Sequence, residues 1–233
     1  MGQTTENVAQ VRGVSRQEQD EFAARSQQLY AQAESARSWA REITPITLPD
    51  GTVMDADESP RAGTTAEALA GLRPVFRPDG TVTAGNACPL NDGAAALVVM
   101  SDTAARGRGL TSLARVAATG VSALSPEIMG LGPVAATRDA LANAGLSIGD
   151  IDLFEINEVF AAQVIPSYQE LGIPLDCLNV NGGAIALGHP FGMTGARITT
   201  LINSLRTHDK QFRLETMCVG GGQGMALILE RLS

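Results

Sequence analysis

The sequence predicts an α/β protein with a layered sheet, and three observations carry that reading. Strand-like and helix-like stretches alternate from residue 112 to 233. Glycine-rich turns follow strand candidates at residues 182–188 and 220–224, where an α/β sheet gathers its ligand contacts. Residues 43–79 are instead broken by Pro45, Pro49, Pro60, Pro74 and Pro78, so they read as loops lying over something larger.

Taken in order, residues 1–14 are polar and open without a clear element. Ser15-Arg-Gln-Glu18 has the form of a capping box and starts a helix to about Ala36, with Phe22, Leu29 and Ala33 on one stripe. The opposite face is Gln, Glu and Arg, as in a surface helix packed on one side. Asp50-Gly51 and Asp79-Gly80 signal turns, and Thr64-Thr-Ala-Glu67 repeats the capping form before a short helix ending near Leu72. Ala94–Ser101 is a compact apolar run suited to a buried strand, and Ser112–Val121 is another strand candidate. Gly132-Pro133 opens a helix through about Ala144, which Gly145 ends. Ile151–Ile156 reads as a strand, Asn157 as the start of a helix to about Leu171, and Cys177–Val180 as a short strand. Ile198, Leu201, Ile202 and Leu205 recur at i, i+3, i+4 and i+7 and predict one more helix. Arg213–Val219 and Met225–Glu230 close the chain as strands.

Composition limits what such a fold does. At 233 residues the chain can bury a real core as one large domain or two modest ones. Apolar residues at 44% and charged residues at 18% are ordinary for a globular protein. The net charge of -8 argues against nucleic-acid binding. No apolar run approaches a membrane span, and MGQTTENVAQ lacks the apolar core of a signal peptide. Cys88, Cys177 and Cys218, with no CxxC, argue against a disulfide framework or a zinc site. Together these features predict a soluble, reduced, cytoplasmic protein.

The stretch Asn179–Arg197 carries the chemistry. It holds five glycines and His189, and its Gly-rich turn feeds a helix start, where backbone N–H groups approach a ligand closely. His189, with its rotation limited by Pro190, suits proton transfer near neutral pH. Asn157 follows the strand IDLFEI, and Cys218 ends the strand LETMC before a triple glycine. Taken singly, Asn157 reads as a helix N-cap, Cys218 as a small buried hydrophobe, and His189 as an incidental residue of a tight loop. Together they place a carboxamide, a thiol and an imidazole at three strand ends.

NEVFA at 157–161, NVNGGAIALGHPFGMTGAR at 179–197 and CVGGGQGMA at 218–226 resemble the three C-terminal signature blocks of the thiolase family. SRQEQDEFAARS, DGTVTAGNACPLNDGAAAL, MGLGPVAA and IGDIDLFEINE resemble thiolase in the same order, so the likeness covers the whole chain. It implies a thiolase-like layered fold and an acyl-CoA C-acyltransferase that makes or breaks carbon–carbon bonds between acyl-CoA thioesters. No cofactor is implied, coenzyme A thioesters being substrates. By the resemblance, His189 activates the nucleophilic thiol and helps hold a thioester oxygen. Asn157 positions a water at that oxyanion site, Cys218 is general acid/base at the α-carbon, and the Gly220 N–H serves a second oxyanion site. Cys88 matches a loop position along the pantetheine path, and Met129 and Phe160 match positions bordering the acyl and pantetheine site.

One departure stands out. The family's acyl-accepting cysteine has no counterpart here, because Cys88 does not match it and Cys177 lies outside the active-site blocks. The expectation is a C-terminal portion lacking the N-terminal nucleophile half. Residues 1–90 would be a loop-rich lid over the CoA site, 91–111 a remnant of the N-terminal domain, and 112–233 the C-terminal domain. Such a chain would be inactive alone and would expose an apolar sheet face. The readings left open are a piece of a thiolase, a subunit of a split enzyme whose partner chain carries the N-terminal half, and a non-catalytic acyl-CoA-binding protein. A full-length member would be a homo-oligomer.

Overall fold

A computed structural model describes residues 1–200 and 202–233. Its centre is a four-stranded sheet in the order β3-β6-β5-β4, formed by β3 (Ala114–Ala123), β4 (Leu153–Ile156), β5 (Phe212–Val219) and β6 (Gln223–Arg231). β4 and β5 run parallel, whereas β5–β6 and β6–β3 are antiparallel. The parallel pair sends Asn157 and Cys218 out of the same end of the sheet, since Ile156 is opposite Thr216.

Helices α5 (Gly132–Ala144) and α6 (Ala161–Leu171) supply much of the core around this sheet. α5 lies so close to β3 that a Cβ at Gly120 would run into the Ala136 carbonyl and the Ala140 backbone. Gly145, with φ 67, ends α5 in the left-handed conformation that glycine adopts without strain. In α6, Ala161, Ala162, Val164 and Ile165 are all buried, in one cluster with Phe154, Ile156, Leu178, Leu214 and Ile228. Each large aliphatic side chain there contributes about 1.5–3 kcal/mol through burial.

The N-terminal segment differs from the expectation. Residues 1–14 are not structureless: α1 (Gly2–Arg12) is a helix ended by Gly13 at φ 68. Tertiary contact overrides its polar sequence, burying Val8 and Ala9, while the Glu6 carboxylate accepts the N–H groups of Thr81 and Val82. α2 (Arg16–Ser35) starts at the anticipated capping box, in which Glu18 accepts from the Ser15 N–H at 2.8 Å. It is not a one-sided surface helix, however, because Gln19, Asp20 and Gln27 are buried with Phe22 and Ala33.

Between 43 and 79, β1 (Ile46–Thr47) and β2 (Val53–Met54) pair as a small hairpin. α3 (Ala66–Ala70) is capped by Thr65, whose hydroxyl accepts the Ala68 N–H, rather than by Thr64. The apolar run at 94–101 forms no strand, and Val98 and Val99 are 85% and 80% exposed. A strand needs a neighbour for its ladder, and this run has none among the described residues. α4 (Asp102–Gly107) follows it.

Three further expectations change. Asn157 is not a helix N-cap, because α6 begins four residues later at Ala161. Cys177–Val180 contributes one bridge, Leu178 to Phe154, rather than a strand. After α7 (Ala184–Leu187), the helix anticipated on the Ile198–Leu205 stripe divides into α8 (Thr194–Thr200) and α9 (Asn203–Thr207). Ile198 and Leu205 are buried, and Leu201 lies outside the described residues. Among the described residues no helix is long and apolar enough to cross a membrane.

Candidate active site

Asn157 leaves β4 with its N–H donating to the Thr216 carbonyl at 3.0 Å, two residues before Cys218. Its side chain is buried, and its Nδ2 stands 3.4 Å from His189 Nδ1 and 3.5 Å from Nε2. The carboxamide therefore faces the imidazole and caps no helix. Asn157 Oδ1 is buried without a hydrogen-bond partner among the described residues, an acceptor with its capacity unspent.

His189 follows α7 through Gly188, whose φ of 96 and close approach to Asn91 exclude a side chain. The ring is half-buried and meets Phe191 edge-on at 5.1 Å. Thr194, at the start of α8, donates its hydroxyl to the Pro190 carbonyl at 2.9 Å while its Oγ1 stands 2.7 Å from His189 Nδ1. With its one proton committed, Thr194 accepts from Nδ1–H, and this network leaves Nε2 as the free base. Burial, and then the nearby Arg197 charge, lower the His189 pKa. The imidazole is thus held neutral and able to take a proton at neutral pH. Arg197 and Arg213 belong to a buried ionic group in which Glu155 lies 3.9 Å and 3.1 Å from them.

Cys218 is 7% exposed at the end of β5, and burial pushes its thiol up to about 11. It shares one apolar cluster with Val82, Met129, Val159 and Phe160, against which Cys88 and Ala87 pack. The Cys88 N–H donates to the Val159 carbonyl at 3.0 Å, and Ala87 bridges Phe160, which fixes this loop across the segment after Asn157. Burial foremost, with Cys218 nearby, pushes the Cys88 thiol up to about 12. Cys88, Met129, Phe160 and Cys218 are therefore brought together, and Asn157 and His189 face one another beside them. Gly220 is outside this cluster, exposed at the tip between β5 and β6, with its carbonyl accepting from Gln223 at 3.2 Å. Cys177 is elsewhere, beside Asp176.

The sequence reading missed two residues. Thr194 fixes the histidine's tautomer; its signal was a hydroxyl five positions after His189 at a helix start. Glu158 is a fully buried carboxylate next to Asn157, and an acidic residue directly after a buried strand was its only signal.

Family descriptions match at both ends: "Thiolase, N-terminal domain" over residues 1–103 and "Thiolase, C-terminal domain" over residues 110–231. The chain belongs to the thiolase family. The expectation of a C-terminal portion lacking the N-terminal half is overturned by the match over 1–103, where α1 and α2 pack into the body of the fold. An acetyl-CoA acetyltransferase of Escherichia coli (strain K12) is 50% identical over 237 residues, covering 100% of this chain and 60% of that protein. The crystal structure of the Bacillus anthracis acetyl-CoA acetyltransferase superimposes with a TM-score of 0.97 at 47% identity, over 100% of this chain and 60% of that one. Human mitochondrial 3-ketoacyl-CoA thiolase in complex with CoA gives a TM-score of 0.94 at 43% identity, over 100% and 59%. This thiolase chain thus spans about 60% of the length of the relatives it matches.

Proposed function

We propose that this chain performs the α-carbon chemistry of an acyl-CoA C-acyltransferase, abstracting and returning a proton beside the thioester carbonyl of a bound acyl-CoA. One observation carries the reading: Asn157 and His189 face one another at 3.4 Å beside the cluster holding Cys218, Cys88, Met129 and Phe160. An α-proton beside a thioester is weakly acidic, so its removal needs a base and donors aimed at the enolate oxygen. Cys218 is the acid/base at that carbon, and the family resemblance adds the N–H of Gly220, two residues on in the exposed β5–β6 turn, as a donor to the enolate oxygen. His189, with the water held by Asn157, supports the thioester oxygen. Cys88, Met129 and Phe160 line the acyl and pantetheine path. Acetyl-CoA and CoA are the substrates favoured by the relatives' names, and no further cofactor is required.

A second reading is favoured by the thiols themselves. Cys218 is committed to the acid/base step, and Cys88, its backbone tied to Val159 and its thiol pushed up to about 12 by burial, lacks the thiolate an acyl acceptor needs at neutral pH. We infer that full ping-pong transfer uses an acyl-accepting thiol from another chain, and that this chain alone does not accumulate an acyl-enzyme. The exposed run through Val98 and Val99, and the half-exposed Val116, Val121 and Met225, give such a partner or a second copy an apolar surface. Incubation with acetyl-CoA followed by intact-mass measurement tests this: the expected spectrum has no acetyl adduct, and an adduct on Cys88 or Cys218 contradicts it.

A further inference from the structure

A fully buried carboxylate joins three segments beside the candidate site without touching a reacting group. Glu158 Oε2 accepts from Ser26 Oγ of α2 at 2.6 Å and from the Ile185 N–H in the first turn of α7 at 3.1 Å. Its Oε1 accepts from Asn179 Nδ2 at 2.7 Å. Asn179, at φ 48, also clasps Ile156, accepting its N–H and donating to its carbonyl, both at 2.9 Å. Ser26 Oγ in turn accepts the Gly183 N–H at 3.1 Å. Gly183 packs so tightly that a Cβ there would strike the carboxylate.

Each partner donates to Glu158, so the position calls for acceptors on both oxygens, which an ionised carboxylate supplies and an amide does not. Burial raises the pKa of this group, opposed by the hydrogen bonds from Ser26, Asn179 and Ile185 and by the Arg25 charge. Among the described residues no ion pair reaches it, so its charge is compensated by aimed hydrogen bonds. One end of the clasp is the residue after Asn157, and the other is α7, which ends two residues before His189.

We propose that Glu158 is a positioning residue that sets the spacing and orientation of the Asn157–His189 pair by locking the end of β4, α2 and α7 into one rigid unit. This rests on the reading of that pair as part of the α-carbon chemistry.

The test combines two readouts on the full chain, with Glu158→Gln and Ser26→Ala. The first is the His189 titration, followed by NMR with His208 assigned separately. The second is α-proton exchange of acetyl-CoA in heavy water, with acetyl-CoA affinity measured alongside. In Glu158→Gln the amide repels one donor, so the His189 midpoint moves up toward 6.5 as the turn loosens and water enters. Exchange falls roughly a hundredfold, the scale of a misplacement near 1 Å, while affinity is retained. Ser26→Ala removes one of the donors and lowers exchange in the same direction by about tenfold. A folded Glu158→Gln with wild-type titration and exchange overturns the proposal. Parallel loss of affinity and exchange with an unmoved titration also overturns it. If Glu158→Gln does not fold, Ser26→Ala decides, and wild-type values there overturn the proposal. If the wild type itself shows no exchange, the reading of the site fails, and the His189 titration alone decides the role of Glu158.

Discussion

Gly183→Ala should be among the most damaging single-methyl additions in this chain, and the reason is specific. Gly183 has φ -130 and ψ -158, extended backbone that alanine adopts freely, so the cost is not conformational. The new Cβ instead meets Glu158 Cδ and both carboxylate oxygens, which have no room to retreat because the group is fully buried. The carboxylate must give up one or two of its bonds to Ser26, Asn179 and the Ile185 N–H. Hydrogen bonds to a charged group contribute about 1.5–3 kcal/mol each, so the expected loss is about 1.5–6 kcal/mol. With a urea slope of about 2 kcal/mol per molar, the midpoint falls by about 1–3 M. Gly71→Ala is the control: its backbone is right-handed and the nearest atom to a new Cβ is 3.6 Å away, so it is neutral or stabilising by about 0.5 kcal/mol. In a Glu158→Ala background the Gly183→Ala cost should fall below about 1 kcal/mol, because the obstructing group is gone. A Gly183→Ala variant within about 0.5 kcal/mol of wild type, or a cost unchanged in that background, refutes the reasoning.

Stability should fall as pH rises from about 4.5 to about 7. Burial pushes Glu155 and Glu215 up to about 7 from an ordinary 4.5, so the folded chain binds more protons than the unfolded one across that window. His189 opposes this, its depressed pKa favouring the fold as pH rises toward 6.5. Urea midpoints that climb between pH 5 and 7 contradict the balance. At pH 7.5 Cys218, held near 11 against an ordinary 9, should react with iodoacetamide about a hundredfold more slowly than a free thiol. Peptide mass mapping showing Cys218 alkylated at a free-thiol rate refutes its burial. In the wild type at pH 8, nitrogen NMR should show His189 with its proton on Nδ1, and Thr194→Val should shift the tautomer balance toward Nε2–H. An Nε2–H tautomer already dominant in the wild type contradicts the Thr194 contact.

The glycine-bounded elements were legible because their punctuation is local. The capping box at Ser15, the C-cap at Gly145 and the close of β5 before three glycines each follow from a few neighbouring residues. What failed depended on distant partners. α1 shows no apolar stripe, and its helix stands on contacts such as that of Glu6 with residues 81 and 82. The run at 94–101 has strand composition, but composition supplies no neighbouring strand. In the site, the residue types at Asn157, His189 and Cys218 were readable. That Asn157 turns away from a helix cap toward the imidazole was not, because Phe160, just before α6, is held extended in a bridge to the distant Ala87. Glu158 stayed hidden for the same reason, its partners lying 21 to 132 residues away.

The most direct measurement is α-proton exchange of acetyl-CoA in heavy water, followed by loss of the methyl proton signal with the full chain and with Cys218→Ala. The account predicts exchange above the buffer rate in the wild type and its loss in Cys218→Ala, with binding of acetyl-CoA retained in both. Wild-type exchange no faster than that of Cys218→Ala would contradict it.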